Sequence, residues 1–110
     1  MGLIRGDILT ALLPKKHGGP HPVLLIQSDL FSEHPSFAVL AITSNLRDWP
    51  VFRIAVEPTP SNGLKKPSQI MVDRIHTILR SQLGGKIGHL DQPTMVAVNR
   101  ALATFLGIAG

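Results

Sequence analysis

The chain has 110 residues, of which 44% are hydrophobic and only 5% aromatic, with a formal net charge of +4 and no cysteine. This length predicts a single domain, 1–110, with an aliphatic core. The lack of cysteine excludes disulfides, a thiolate nucleophile and thiolate metal sites, and it fits a reducing compartment.

The charge balance favours an acidic partner. Lysine and arginine total 11 against 7 aspartates and glutamates, and in a small domain such an excess favours nucleic acid, although many small basic proteins bind none. The longest apolar run is far below the roughly 18–20 residues that cross a membrane. The opening stretch MGLIRGDIL also lacks the apolar region of a signal peptide. We therefore expect a cytoplasmic protein with no membrane partner.

Short apolar segments separated by turns rich in proline and glycine predict five to six strands. In chain order the strand candidates are RGDILTAL, PVLLIQS, FAVLAITS, VFRIAVE, QIMVDRIHTI and GGKIGHL, and LFSEHPS contributes one helical turn. In VFRIAVE, alternation places Phe52, Ile54 and Val56 on one side of the strand. The Asn-Gly pair in PTPSNGLKKPS marks a tight turn.

The last segment predicts a helix with Asp91 as its N-cap and Pro93 in its first turn. Four residues recur at spacings of three and four and form a stripe that faces the core: Met95, Val98, Leu102 and Phe105. Gly107 ends the helix. Together these elements predict a small, strongly bent antiparallel sheet or barrel with the helix covering one side.

Several segments, in their order along the chain, resemble one known family. They are RGDI, HPVLLIQSD, LAITS, GLKKPSQIMVDRIHTI and LGGKIGHLD. They resemble the corresponding segments of the MazF/PemK/Kid family of toxins from type II toxin–antitoxin systems, nearly from end to end. The resemblance implies an SH3-like barrel with a C-terminal helix, which forms a homodimer.

The resemblance also implies an activity and partners. It implies a growth-inhibiting, sequence-specific endoribonuclease (an mRNA interferase) that needs neither metal nor cofactor and cuts single-stranded RNA. Its second partner would be a MazE/PemI-like antitoxin whose acidic C-terminal segment covers the RNA groove. Metal-free cleavage uses the adjacent 2′-OH as nucleophile and leaves a 2′,3′-cyclic phosphate and a 5′-OH.

The two main catalytic candidates are His21 and Thr43. The family usually places an arginine just before the proline of its second strand and a threonine at the end of its third. His21 occupies the arginine position here. Histidine can pass protons in both directions near neutrality, which arginine does poorly. We expect His21 to act as general base or acid and Thr43 to hydrogen-bond the scissile phosphate. The alternative is a turn histidine in a weakened or inactive site.

Asp73 and His76 are further catalytic candidates. Residues three apart in a regular strand point to opposite faces, so the two would need a bulge to act together. Arg74 and His76 share a face, which suits either a phosphate-binding pair or a solvated surface. His76 and Met71 each stand where family members carry an arginine, so both depart from the family pattern.

The candidates for RNA contacts lie in three loops. They are Lys15, Lys16 and His17 in the first loop, Arg47 and Trp49 in the second, and Lys65 and Lys66 in the third. The first group forms either a basic lid or a solvated loop. A tryptophan such as Trp49 can stack an unpaired base or anchor a hairpin. The five histidines lack ligand spacing and a carboxylate cluster, so we expect no metal site.

The remaining polar residues are expected to be structural. Arg5 and Asp7 are expected to pair near the barrel entrance, and His34 and His89 to lie at the surface or at caps. Two competing functions stay open: a family member that binds RNA or antitoxin without cleaving, and a gyrase-poison toxin with the same fold. The second is disfavoured because HPVLLIQSD and LAITS resemble the ribonuclease branch.

Overall fold

Six strands and one helix make up the described part of the chain, residues 2–13 and 19–109 of a computed structural model. The strands are β1 (Asp7–Ala11), β2 (His21–Leu25), β3 (Ser36–Thr43), β4 (Arg53–Val56), β5 (Ser68–Leu79) and β6 (Leu83–His89), and the helix is α1 (Gln92–Phe105). Short 3-10 turns occupy Asp29–Phe31 and Arg80–Gln82. These bounds confirm every predicted strand, the single helical turn and the terminal helix.

All strand pairs are antiparallel, and the strands lie in the order β4-β5-β3-β2-β1-β6. The predicted bent antiparallel sheet with a C-terminal helix is confirmed, although among the described residues the edge strands β4 and β6 do not pair with each other to close it. The pairing of β3 with β5 shifts register between Leu40 and Ile42, and the pairing of β1 with β6 shifts twice. Such irregularities bend a sheet locally.

Buried, mostly aliphatic side chains pack on both faces of the sheet and form two core clusters. One core cluster joins α1 to the sheet through Met95, Val98 and Leu102, while a second cluster contains Phe37 and no helix residue. Asp91 caps α1 by accepting a hydrogen bond from the amide of Thr94 at 3.0 Å. No helix in the described residues is long and apolar enough to span a bilayer.

The expectation for the end of the helix stripe is wrong in one position. Phe105 is 51% exposed, whereas Leu102, one turn earlier, is buried. Phe105 is the last residue of α1, and the chain leaves the helix at Gly107 with a φ of +74°. That left-handed conformation favours glycine, which is consistent with Gly107 as the predicted end of the helix.

Asp7 lies at the start of β1 and is fully buried, but it does not pair with Arg5 as expected. Arg5 instead donates from its Nε to the carbonyl of Ile26 at 2.7 Å. The Asp7 carboxylate lies 3.1 Å from Lys86 Nζ and 2.8 Å from His89 Nδ1, and it accepts a hydrogen bond from the Ile4 amide. Both side-chain partners lie on β6, so the pairing of β1 with β6 decides which side chains contact the carboxylate.

The Asp7 network makes the stability of the fold depend on pH. Burial raises the pKa of the Asp7 carboxyl, but the hydrogen bonds from Ile4, His89 and Lys86 outweigh burial and hold the pKa below its ordinary value of 3.8. A carboxyl with a depressed pKa stabilises the folded state above its unfolded pKa, and this contribution is lost as the pH falls through the folded pKa.

We therefore expect Asp7→Asn to lower the free energy of unfolding by about 1.5–3 kcal/mol at neutral pH, because hydrogen bonds to a charged group are lost. The difference from the wild type should shrink at acid pH, because the wild-type carboxyl also loses its charge as the pH falls through its depressed pKa. Urea unfolding at neutral and at acid pH measures it. Glu33→Gln, at an exposed turn position, is the control and should change little. A difference that does not depend on pH would contradict this assignment.

Candidate active site

A cleft of about 580 Å³ opens where β2 begins and β3 ends. Its walls come from the start of β2, the end of β3, the segment before β5, and single residues of β1 and β6. Four of the residues singled out from the sequence lie in these walls: His21, Thr43, Lys65 and Lys66. The fold therefore brings an imidazole, a hydroxyl and two ammonium groups to one cavity from three separate segments.

The strand register explains why His21 and Thr43 share the cleft. β2 pairs with β3 at Val23 and Ala41, and continuing this antiparallel register by two residues places His21 opposite Thr43. On its other side His21 pairs with Ala11 of β1. Pro22 has no backbone N–H to donate to a neighbouring strand, and the pairing of β2 with β3 ends at Val23.

Thr43 is the last residue of β3, and its hydroxyl already has one role. Its Oγ1 accepts a hydrogen bond from the amide of Asn45 at 3.0 Å, which turns the chain out of the strand. A hydroxyl has one proton to donate and two lone pairs. Thr43 can therefore hold the turn and donate its own proton to an anionic oxygen.

Lys65 and Lys66 form the basic part of the cleft wall, and both are exposed. Within residues 2–13 and 19–109, the ion pairs link Arg74 to Asp73, and Lys86 and His89 to Asp7. None of these pairs neutralises Lys65 or Lys66. An anion in the cleft would therefore meet two uncompensated positive charges.

A second basic surface adjoins the cleft on the turn that follows Thr43. Gln69 donates to the carbonyl of Arg47 at 2.8 Å and accepts from the Arg47 amide at 3.0 Å. The same oxygen accepts from Arg53 Nη1 at 2.8 Å. The Arg53 guanidinium carbon lies 4.9 Å from the centroid of the Trp49 ring. Gln69 thus fixes two arginines and one aromatic ring beside the cleft.

Trp49 fits both of the roles expected for it. The ring lies 5.6 Å from Phe52, and the Trp49 carbonyl accepts from the amides of Phe52 and Arg53, so the residue anchors its turn. It nevertheless remains 46% exposed, which leaves ring surface for a base. Stacking of a base on Trp49 stays a prediction. Arg53 was missed from the sequence; its position on the polar side of an alternating strand was the available signal.

Three other candidates lie on β5 and do not line the cleft. Asp73 and Arg74 fall within the stretch where β5 shifts register against β3, and His76 pairs with Val39 beyond that stretch. Asp73 Oδ2 lies 3.8 Å from Arg74 Nε, and its Oδ1 is buried without a hydrogen-bond partner in the described part of the chain. The structure therefore places these residues apart from His21 and Thr43.

Two further expectations concern the first basic loop and the absence of a metal site. Lys15, Lys16 and His17 lie outside the described residues. Within the ranges 2–13 and 19–109, no group of three or more histidine, aspartate or glutamate side chains is arranged to hold a metal ion.

The family resemblance is confirmed by comparison with known proteins. A family model described as the PemK-like, MazF-like toxin of type II toxin–antitoxin systems matches residues 4–106. The chain therefore belongs to the PemK/MazF toxin family. A probable endoribonuclease MazF of Mycolicibacterium smegmatis is 45% identical over 107 residues, which cover 96% of this chain and 98% of that protein. Endoribonuclease EndoA of Bacillus subtilis is 31% identical and 94% of each chain is covered.

Solved structures agree with this assignment. A mycobacterial endoribonuclease in complex with its cognate antitoxin has a TM-score of 0.80 at 27% identity, and 98% of each chain is covered. MazF of Deinococcus radiodurans has a TM-score of 0.79 at 16% identity, covering 97% of this chain and 98% of that one, which shows a shared fold.

The surface beside the cleft can be tested through Trp49, which is the only tryptophan of the chain. We expect Gln69→Ala to loosen the turn, because it removes the hydrogen bonds that tie Arg47 and Arg53 together. Acrylamide should then quench the tryptophan fluorescence more strongly than in the wild type. Gln27→Ala is a matched control, since Gln27 also bridges backbone groups, at Phe31, Ser36 and Ala38. Equal quenching in both variants would argue against this role of Gln69.

Proposed function

We propose that this chain, as a single toxin domain spanning 1–110, is a metal-independent endoribonuclease that cleaves single-stranded RNA at short sequence motifs. The observation that carries the proposal is the cleft, which combines His21 and Thr43 with the uncompensated charges of Lys65 and Lys66. Membership of a toxin family in which relatives are named endoribonucleases supports the same activity.

The proposed reaction needs only groups that the cleft offers. The 2′-oxygen of the RNA attacks the adjacent phosphorus, its proton passes to His21, and the bond from phosphorus to the 5′-oxygen breaks. The products are a 2′,3′-cyclic phosphate and a 5′-hydroxyl, whose proton comes from solvent water, and His21 then returns its proton to the solvent. Thr43 donates to a non-bridging oxygen while the two lysines offset the charge that develops on the phosphorane.

We further propose two protein partners and a setting. One mycobacterial neighbour was solved in complex with its cognate antitoxin, which supports an antitoxin for this chain too. An acidic segment of that antitoxin would occupy the cleft against Lys65 and Lys66. We also propose that the chain forms a homodimer and is located in the bacterial cytoplasm. Sedimentation velocity at micromolar concentration should give the mass of a dimer; a monomer would contradict that part.

The decisive test is cleavage of a long single-stranded RNA in the presence of EDTA. The wild type should cut and leave cyclic phosphate ends. His21→Ala should lose about 10²-fold or more in rate, as expected for a general acid or base. Thr43→Val, which keeps the shape but removes the hydroxyl, should lose about 10²-fold, as for one lost donor to a developing oxyanion. His34→Ala, an exposed histidine outside the cleft walls, is the control and should cut normally.

The other outcomes separate the competing functions. If the wild type binds RNA but does not cut it, the chain is a family member without nuclease activity. The presence of His21 at the position of the family arginine would then explain the loss. Cutting by His21→Ala at the wild-type rate would move the proton transfer to another group, and His17, Asp73 and His76 would be the candidates left to test. Inhibition of DNA supercoiling without RNA cleavage would favour a gyrase poison.

A further inference from the structure

Buried polar side chains are few in the described part of the chain, and two of them flank the lysines of the cleft in sequence. Across residues 2–13 and 19–109, the polar or charged residues that are buried are Asp7, Asn62 and Ser68. Asn62 precedes Lys65 by three residues, and Ser68 follows Lys66 by two. A buried polar side chain lowers the stability of the fold unless it is hydrogen-bonded. The hydrogen bonds of these two residues therefore show which parts of the chain around the lysines are held in place.

Asn62 is bonded through every polar atom of its side chain. Its Oδ1 accepts from the amides of Thr59 and Leu64, each at 3.0 Å, and its Nδ2 donates to the carbonyl of Glu57 at 2.8 Å. Its own amide donates to Thr59 Oγ1 at 3.0 Å. Four bonds within eight residues fold the segment into one fixed turn.

The turn is docked on β6 by contact between backbones. A Cβ on Gly63, whose φ is +71°, would overlap the carbonyl oxygen of Ile87, and a Cβ on Gly88 would overlap the backbone of Asn62. The His89 amide also donates to the Ser61 carbonyl at 2.9 Å. Only glycine permits so close an approach, so the two elements are held at one separation.

The chain on both sides of the lysines is anchored as well. Leu64 belongs to the core cluster that contains α1, and Ser68 Oγ donates to the carbonyl of Lys66 at 2.8 Å. The backbone of Lys65 and Lys66 is therefore fixed at both ends, while their side chains remain exposed at the cleft wall.

We infer that Asn62 is a positioning residue for the substrate: it holds Lys65 and Lys66 as two fixed phosphate contacts at the cleft. The inference rests on the proposed function, because it names the RNA backbone as the ligand of these lysines. A flexible loop would have to become ordered on binding, and that entropy cost would weaken the complex. The Asn62 turn removes this cost before RNA arrives.

The test is a double-mutant cycle on RNA binding. The probe is a mixed-sequence single-stranded RNA pool with 2′-fluoro sugars, which carries the phosphates but lacks the nucleophilic hydroxyl. The proteins are the wild type, Asn62→Ala, the pair Lys65→Gln with Lys66→Gln, and the combination of all three changes. Affinity is measured by fluorescence anisotropy between about 50 and 200 mM salt, because each phosphate contact on a single strand adds about 0.7 to the salt slope.

Removing both lysines should reduce the magnitude of the slope by about 1.4. Asn62→Ala should produce at least half of that reduction, although it removes no charge. In the background without the two lysines, Asn62→Ala should have no further effect. Such non-additivity is expected only if the asparagine acts through the lysines.

A stability control keeps the test specific. Leu102→Ala removes a buried side chain from α1 and lowers stability by core loss, while it leaves the hydrogen bonds of Asn62 in place. All proteins are compared at a temperature where circular dichroism shows them folded. If Asn62→Ala does not fold, Thr59→Val removes one acceptor of the same turn and takes its place. An effect equal to that of Leu102→Ala, or additive with the lysine changes, would overturn the inference.

The same measurements distinguish a failure of the proposed function. A wild type that binds with the expected slope and coupling but cuts no unmodified RNA would refute the nuclease activity and leave the role of Asn62 standing. A wild type whose binding does not depend on the two lysines would refute the role of Asn62, whatever its activity.

Discussion

The close approach of the turn around Gly63 to strand β6 is the constraint on which the cleft depends. No side chain separates the two backbones, since a Cβ at Gly63 or at Gly88 would collide with the opposite chain. This contact brings Lys65 and Lys66, which lie in a loop, to the same cavity as His21 and Thr43, which lie at strand ends. A larger separation would leave a sheet of the same topology with no basic wall at the cleft.

The basic side chains of this protein have two different roles: some stabilise the fold, and others lie at the candidate active site. Lys86 and His89 on β6 face the buried carboxylate of Asp7, so their interactions stabilise the pairing of β1 with β6. Arg47 and Arg53 are held by Gln69 beside the cleft, and Lys65 and Lys66 have no anionic partner in the described ranges. Four of the 11 lysines and arginines, Lys65, Lys66, Arg47 and Arg53, therefore lie at or beside the cleft without an ion pair in the described ranges, which makes the local potential positive.

In our proposal His21 stands where the family resemblance places an arginine, and this difference changes what the cleft can do. An arginine at this position would clamp phosphate through a planar fork of donors but would hold its proton. A histidine binds phosphate less well and transfers protons more readily. Lys65 and Lys66 in the same cleft can bind phosphate, so in our proposal proton transfer and phosphate binding fall to different residues of one cavity.

The sequence by itself determined the elements and the family. Apolar runs of strand length, turns rich in proline and glycine, and the Asp91 cap depend on neighbouring residues, so their signals are local and the structure confirms them. Motifs in a fixed order carried the resemblance to the toxin family, and the family model confirms it. The pairing of His21 with Thr43 in one site also came from the sequence, but only through that resemblance.

Only the tertiary structure decided the contacts between residues that are far apart in the chain, and which further residues lie in the cleft walls. Asp7 met Lys86 and His89 instead of Arg5, because partners 79 and 82 positions away are set by strand pairing that periodicity does not encode. Asp73, Arg74 and His76 proved to lie outside the cleft walls for the same reason, since a register shift in β5 decides where they fall. From the sequence, Asn62 is predicted only as part of a tight Asn-Gly turn. Its burial and its contact with β6 arise only when strands that are distant in sequence assemble.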